Sequence, residues 1–202
     1  MDKTAEGLAK LLARIRACEV CRDLPCGPRP IIQAHSKARV AIIGHAPGRL
    51  VHASGIPWDD FSGVRLRRWL GISREDFYDP TKVALIGMGF CYPGTGKSGD
   101  LPPRKECAPL WHEEVFGRLR GDIRQILVGR YALEYYLGKR CKATLGETVR
   151  AWKEYLPRFL VLPHPSGRNN GWLKMNPWFE KEALPRMRII FRKSLQRDVP
   201  AS

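Results

Sequence analysis

Phe159-Leu160-Val161-Leu162-Pro163-His164-Pro165-Ser166 is an apolar run that ends at a histidine held between two prolines. Four consecutive apolar residues bounded by a turn signal read as a buried strand. The prolines restrict the backbone on both sides of His164, so the imidazole is offered at a strand exit on a rigid turn. A second run has the same grammar. Val40-Ala41-Ile42-Ile43 leads into the small-residue loop Gly44-His45-Ala46-Pro47-Gly48. Open α/β sheets bind ligands at the carboxyl ends of their strands, so two such loops on one edge can form one pocket.

Working outward, short apolar runs bounded by turn residues predict strands at 39–44, 82–87, 123–129 and 158–162. Between them, helical patterns fall at about 63–71, 108–120, 130–138 and 144–155. A further amphipathic helix is predicted over 4–17, with Leu8, Leu11, Leu12 and Ile15 on one face. A last helix follows Asn176-Pro177, with Asn as cap and Pro in the first turn, and runs to about Leu195. Alternating strand and helix units with short connections imply an α/β fold. The expected architecture is a three-layer α/β/α sandwich around a four-stranded parallel sheet. It forms one domain over 1–197, with the helix and Cys/Pro-rich segment of 1–38 packed on it and a tail at 198–202.

Lys and Arg number 35 against 20 Asp and Glu, a net charge of +15. That balance favours a polyanionic partner, most simply nucleic acid. No apolar run approaches the roughly 18 residues of a membrane span. Asp2, Lys3, Glu6 and Lys10 interrupt any signal-peptide core. The expectation is a cytoplasmic, nucleoid-associated monomer with no membrane partner. Its six cysteines are then reduced or metal-bound rather than disulfide-paired. Gly94-Thr95-Gly96-Lys97-Ser98-Gly99 lacks P-loop spacing, which excludes ATP binding by that device.

Five features in order carry a family resemblance. They are Cys18-Glu-Val-Cys21, the loop Gly44–Gly48, Gly55-Ile-Pro57-Trp58, the pair Cys91 and Cys107 with Pro-Pro-Arg between them, and His164-Pro165-Ser166. Together they resemble the smaller, iron–sulfur, family 4-like branch of the uracil-DNA glycosylase superfamily over nearly the whole chain. The chain departs from that pattern as a divergent subgroup. His45 stands where the branch usually has Glu. Gly87 stands where it usually has an Asn that reads the uracil edge. Trp58 stands where the stacking aromatic is often Phe. Each is read off the sequence in hand.

The resemblance implies a monofunctional glycosylase acting in base-excision repair on double- or single-stranded DNA. It would hydrolyse the N-glycosidic bond of a flipped deaminated base, uracil foremost. Such a base must leave the stack before its sugar can be attacked. It departs as an anion, and a donor aimed at its oxygen stabilises it in the transition state. His164 is read as that donor, and His45 as the group that orients or deprotonates water. Asp59 or Asp60 is an alternative water-activating base. Trp58 is read as the stacking floor. Gly44 and Ala46 let backbone approach the base, and Gly87 leaves room for a larger one. Pro47, Gly48, Lys97, Arg104, Ser166 and Arg168 are read as DNA contacts, with Arg168 or Trp172 as the wedge in the stack. The flexible, basic loop 94–104 is read as a phosphate contact. Cys18, Cys21, Cys91 and Cys107 would hold a [4Fe–4S] cluster. Four-thiolate zinc and separate free thiols are the rivals, with Cys26 a spare ligand and Cys141 ordinary. A catalytically weak nucleic-acid-binding relative, a glycosylase for another modified base, and a different hydrolase on the same fold stand as alternatives.

Overall fold

All four apolar runs pair into one parallel sheet in a computed structural model that describes residues 3–97 and 99–196. Ser98, residue 197 and the tail at 198–202 lie outside the described residues. The first two strands, β1 (Val40–Gly44) and β2 (Val83–Gly87), run in register from Val40 against Val83 to Gly44 against Gly87. A small antiparallel hairpin follows, β3 (Thr95–Gly96) with β4 (Gly99–Asp100). The sheet resumes with β5 (Arg124–Val128) beside β1 and β6 (Phe159–Leu162) beside β5, giving the order β2-β1-β5-β6. Every predicted strand is present, with its ends within one residue of expectation.

The helices in chain order are α1 (Lys3–Arg16), α2 (Arg49–Ser54), α3 (Phe61–Leu70), α4 (Arg74–Tyr78), α5 (Cys107–Phe116), α6 (Arg130–Leu137), α7 (Leu145–Arg150), α8 (Asn170–Met175) and α9 (Leu184–Leu195). They lie on both faces of the sheet because the strands bury both faces. On one face Val40, Ile42, Val83 and Leu85 pack with Leu66 and Trp69 of α3 and Met187 and Phe191 of α9. On the other, Ala41, Ala84 and Ile86 pack with Leu8, Leu11 and Ile15 of α1 and Trp111 and Val115 of α5. The result is the expected three-layer sandwich.

Some expectations needed correction. The helix predicted over 144–155 stops at Arg150, and Trp152–Tyr155 continues as a tighter 3₁₀ turn that buries Trp152 and Tyr155. Its start is firm, because Thr144 and Glu147 form a reciprocal capping box. Asn176 does not cap the last helix through its side chain. Its Oδ1 accepts from Trp178 Nε1, and its Nδ2 donates to the Trp172 carbonyl. A widened π turn over Phe179–Ala183 precedes α9. Within the segment 94–104 the strands β3 and β4 pair as a hairpin, and 101–104 has no regular structure. The short helices α2, α4 and α8 were not anticipated.

Topology places the site. The chain leaves β1 for β2 on one side, then crosses back to β5 on the other. At that reversal the loops after adjacent strands diverge and open a crevice. The Cys- and Pro-rich segment is tied to the outer edge of β2. Ile31 N–H donates to Phe90 O at 2.7 Å, and Gln33 exchanges backbone hydrogen bonds with Leu85 at 3.1 and 2.8 Å. That pairing covers an otherwise open edge. Among the described residues, no helix is long and apolar enough to cross a membrane.

Candidate active site

A cleft of about 690 Å³ opens at the carboxyl ends of the strands. The turn after β1 contributes Gly44, His45, Ala46, Pro47 and Gly48, and β2 contributes Gly87. The exit of β6 contributes His164, Ser166 and Arg168; Trp58 and the hairpin residue Lys97 complete the wall. The structure thus brings together every residue expected at the base or the DNA except Arg104 and Trp172. Arg104 instead pairs with Asp23 and borders the cysteines.

His164 is half-buried at the cleft wall. Burial, reinforced by repulsion from the Arg168 guanidinium and from His45 whenever that ring is protonated, pushes its pKa down to about 4, so the ring is neutral at pH 7. The turn that carries it is closed by Asn169 Nδ2, which donates to the His164 carbonyl at 2.7 Å. The Trp58 ring lies nearly parallel to the imidazole, at 24° and 5.6 Å between centroids. Trp58 adopts φ +59, a left-handed conformation that a bulky residue rarely takes. Such strain persists only where the surroundings impose it. The ring lies directly over Gly44, where an added Cβ would stand 2.4 Å from Trp58 Cζ2. Gly44 is therefore required by the indole.

His45 stands 6.2 Å from His164 and edge-on to Tyr131 at 5.1 Å, centroid to centroid. Burial holds its pKa below the ordinary histidine value. The Ala46 backbone and the Asp100 carboxylate oppose that shift, and Arg168 adds to it. The two imidazoles are thus both neutral donors or acceptors facing one cleft.

The two neighbouring carboxylates differ. Asp60 lines the cleft, and burial raises its pKa, but its Oδ1 accepts from Gly63 N–H at 2.7 Å as the cap of α3. Asp59 faces Arg74 at 3.8 Å and is not part of the cleft wall.

Gly87 corrects the sequence reading most sharply. It was expected to leave room. A Cβ there would meet the Gly89 carbonyl at 2.3 Å and the His45 carbonyl at 3.0 Å. The glycine is present because the backbone is crowded. Behind it, fully buried His112 holds the Gly87 carbonyl through Nε2 at 3.0 Å and the Tyr136 hydroxyl through Nδ1 at 2.6 Å. A carbonyl only accepts, so Nε2 carries the proton and Nδ1 accepts from Tyr136. Burial pushes the His112 pKa down to about 4.

Of the two expected wedge residues, Trp172 is engaged elsewhere and Arg168 lies in the cleft. Trp172 is half-buried and packs edge-on against Trp178 and Phe179, at 6.0 and 5.8 Å. The Arg168 guanidinium occupies the space a Cβ would take on Gly99, so it spans the cleft from the β6 exit to the hairpin. Sequence reasoning missed Tyr131 and Asp100, which also line the cleft. Tyr131 had a signal: Val128-Gly129-Arg130-Tyr131 repeats the strand-then-glycine grammar of Ile43-Gly44-His45. Asp100 sits in a two-residue strand and had none.

Cys18, Cys21, Cys91 and Cys107 line one separate small cavity with Pro28, Pro30, Phe90 and Trp111. The Cys107 sulfur accepts from Phe90 N–H at 3.3 Å. Burial pushes the Cys91 thiol up to about 11 and Cys107 up to about 12. An enclosed cationic group would reverse that shift and hold thiolates. Among the described residues, no three His, Cys, Asp or Glu side chains close around one point as a single ion requires. Four thiols facing one apolar cavity are a donor set that suits either an iron–sulfur cluster or a four-thiolate zinc ion. Cys26 is exposed and outside this cavity, and the Cys141 thiol donates to the Leu133 carbonyl at 3.4 Å. The family model of the uracil DNA glycosylase superfamily matches residues 32–188, which span the whole sheet and both histidine loops.

Proposed function

The chain belongs to the uracil DNA glycosylase superfamily, whose members are in general hydrolytic DNA glycosylases, and from that premise we propose that it hydrolyses the N-glycosidic bond of an extruded deaminated base in DNA, uracil foremost. The observation that carries this reading is the pair of neutral, half-buried imidazoles, His164 and His45, 6.2 Å apart in one cleft beside the Trp58 ring.

In this reading the extruded base enters the cleft alongside Trp58. His164 donates a hydrogen bond to the base oxygen that gains charge as the bond breaks, an interaction stronger in the transition state than in the ground state. Its low pKa keeps it a neutral donor, so it stabilises the leaving anion without protonating it first. His45 orients the attacking water and takes up its proton, which an attack on a cation-like sugar demands only weakly. Lys97 and Arg168 at the cleft edge supply phosphate contacts.

Cys18, Cys21, Cys91 and Cys107 would hold a [4Fe–4S] cluster, as in the iron–sulfur branch the chain resembles. The group would tie the N-terminal segment to the loop after β2 rather than enter the reaction. A second reading, a DNA-binding relative without efficient catalysis or a glycosylase for another base, is favoured by one observation. The crowded backbone at Gly87 offers no side-chain amide to read a uracil edge.

Single-turnover cleavage of oligonucleotides, each with one lesion, separates these readings. Uracil should be released, and His164→Ala should slow release by roughly 10²–10³-fold with little change in DNA affinity. Equal cleavage by wild type and His164→Ala would remove His164 from the chemistry. No cleavage of any lesion would favour the binding relative.

A further inference from the structure

Behind the cleft wall, and not part of it, lies the buried imidazole of His112 on α5. Its surround is aromatic and would suit a phenylalanine. The ring stacks on Phe90 at 5.7 Å and on Tyr136 at 6.0 Å, and meets Phe116 and Tyr135 edge-on at 6.2 and 6.0 Å, centroid to centroid. Yet both ring nitrogens are used. The Tyr136 hydroxyl donates to Nδ1 at 2.6 Å, and Nε2 donates to the Gly87 carbonyl at 3.0 Å. A fully satisfied buried polar network fixes one arrangement of the groups it joins. Here the group it joins is the strand exit that lines the cleft.

The hydrogen bonds continue from that exit into the His45 loop. Met88 N–H donates to Gly44 O at 2.9 Å, and Gly89 N–H donates to His45 O at 3.4 Å. Those two carbonyls belong to the two peptides that flank the His45 Cα. The orientation of these peptides sets the direction in which the imidazole leaves the backbone. The turn that anchors them has little stiffness of its own, because Gly87 and Gly89 bracket Met88. His112 supplies the stiffness from the side of α5. An apolar ring at position 112 would fill the same space and leave the Gly87 carbonyl without this donor.

We propose that His112, oriented by Tyr136, is a positioning residue for His45: it holds the turn 87–89, which anchors both peptides flanking the His45 Cα and so sets where that ring stands in the cleft. The task of His45 rests on the glycosylase reading; its placement does not, and is measured without DNA. The probe is the NMR titration of His45 in protein labelled with nitrogen-15 histidine, its signals assigned by their loss in His45→Ala. The groups that face this ring are Tyr131 from α6, Asp100 from β4, and His164 and Arg168 from the β6 exit, and the variants leave all four in place. Wild-type His45 should titrate below the ordinary histidine value. His112→Phe, which fills the aromatic surround without the donor, should move the midpoint up towards that value as the His45 ring loosens into solvent. Tyr136→Phe should move it the same way by less. His112→Gln, whose amide can still donate to Gly87, should keep the wild-type midpoint.

On a uracil-containing oligonucleotide, His112→Phe should lower the single-turnover rate by up to roughly 10²-fold, and by no more than His45→Ala does, with the half-saturating DNA concentration unchanged. His112→Gln should recover most of that rate. Added to His45→Ala, His112→Phe should cost nothing further, whereas a residue that only supports the fold would slow both backgrounds alike. A folded His112→Phe with the wild-type His45 midpoint overturns the proposal, as does one that slows His45→Ala as much as it slows wild type. Should His112→Phe not fold, Tyr136→Phe decides by the same midpoint. The two readings fail separately. If no lesion is cleaved but the midpoint moves with His112, the glycosylase reading falls and this one stands. If uracil is released through His164 while the midpoint is indifferent to His112, the reverse holds.

Discussion

Gly87→Ala and Gly87→Asn should both destabilise the protein, and neither should improve its handling of uracil. The resemblance to relatives with an asparagine at this position invites the opposite expectation. The geometry opposes it. A Cβ at position 87 would lie 2.3 Å from the Gly89 carbonyl oxygen and 3.0 Å from that of His45. Both neighbours are backbone, so no flexible side chain can yield. The segment is also stitched in place. Met88 N–H donates to Gly44 O at 2.9 Å, Gly89 N–H to His45 O at 3.4 Å, and His112 grips the Gly87 carbonyl at 3.0 Å. Relief must come from moving the Gly89 turn or the His45 loop. Overpacking of this kind costs about 1–3 kcal/mol. For a domain of this size each kcal/mol lowers Tm by about 2–4 °C, so melting should fall by about 2–12 °C. Alanine isolates the Cβ from the amide, and the two variants should fall by similar amounts. Thermal melts followed by circular dichroism, with single-turnover uracil cleavage on the same preparations, provide the test. An Ala variant that melts with wild type would refute the crowding argument, as would an Asn variant that cleaves uracil faster at unchanged Tm.

The single-turnover rate should be flat from neutral to mildly alkaline pH and should fall only below the ordinary histidine value, because burial keeps His45 neutral to lower pH; His45→Ala should slow the rate less than His164→Ala and abolish that acid limb. Purified protein should be brown, with broad absorbance and with iron and sulfide in equal amounts; one zinc per chain without sulfide would reassign the four cysteines. Lys97→Ala should weaken binding to all DNA sequences and lower the salt slope by about one, whereas Arg104→Ala should leave DNA affinity unchanged, because that guanidinium pairs with Asp23 beside the cysteines. Stability should decline between pH 6.5 and 4: His112 has a folded-state pKa of about 4, so its contribution is complete above the unfolded value and is lost as pH falls, by up to roughly 3 kcal/mol. His112→Gln, which cannot titrate, should reduce the steepness of that part of the Tm–pH curve, with His164, whose pKa is also pushed down to about 4, supplying the remaining decline.

The sheet was readable because buried parallel strands are continuous apolar runs, and Val40–Ile43 or Phe159–Leu162 have no competing periodicity. The histidine loops followed, since ligand-facing residues leave from strand ends. The hairpin was not readable. Its strands are two residues long, too short for any alternation, so Asp100 reached the cleft with no local signal. His112 was equally silent. It lies in α5 among residues that satisfy a helical pattern, and only burial at 2 % exposure with two ring partners distinguishes it from a surface imidazole.

Gly87 and Trp172 expose a more general ambiguity. A glycine where relatives carry a side chain has two opposite causes: space for something else, or backbone too close for a Cβ. Sequence presents both as the same letter, and here the second applies. An aromatic in a polar loop has the same duality. Trp172, in a run of Gly and Asn, packs inward against Trp178 and Phe179. Phe61, in a run that otherwise reads as an ordinary helix start, points out at 86 % exposure. Flanking polarity therefore does not tell which aromatic is covered and which is exposed. What separates the two is tertiary. α8 folds back onto the α9 side of the sheet, whereas α3 starts at the open reversal between β1 and β5, where no layer exists to cover its first turn. The crevice that makes a site in this topology also leaves its rim residues uncovered.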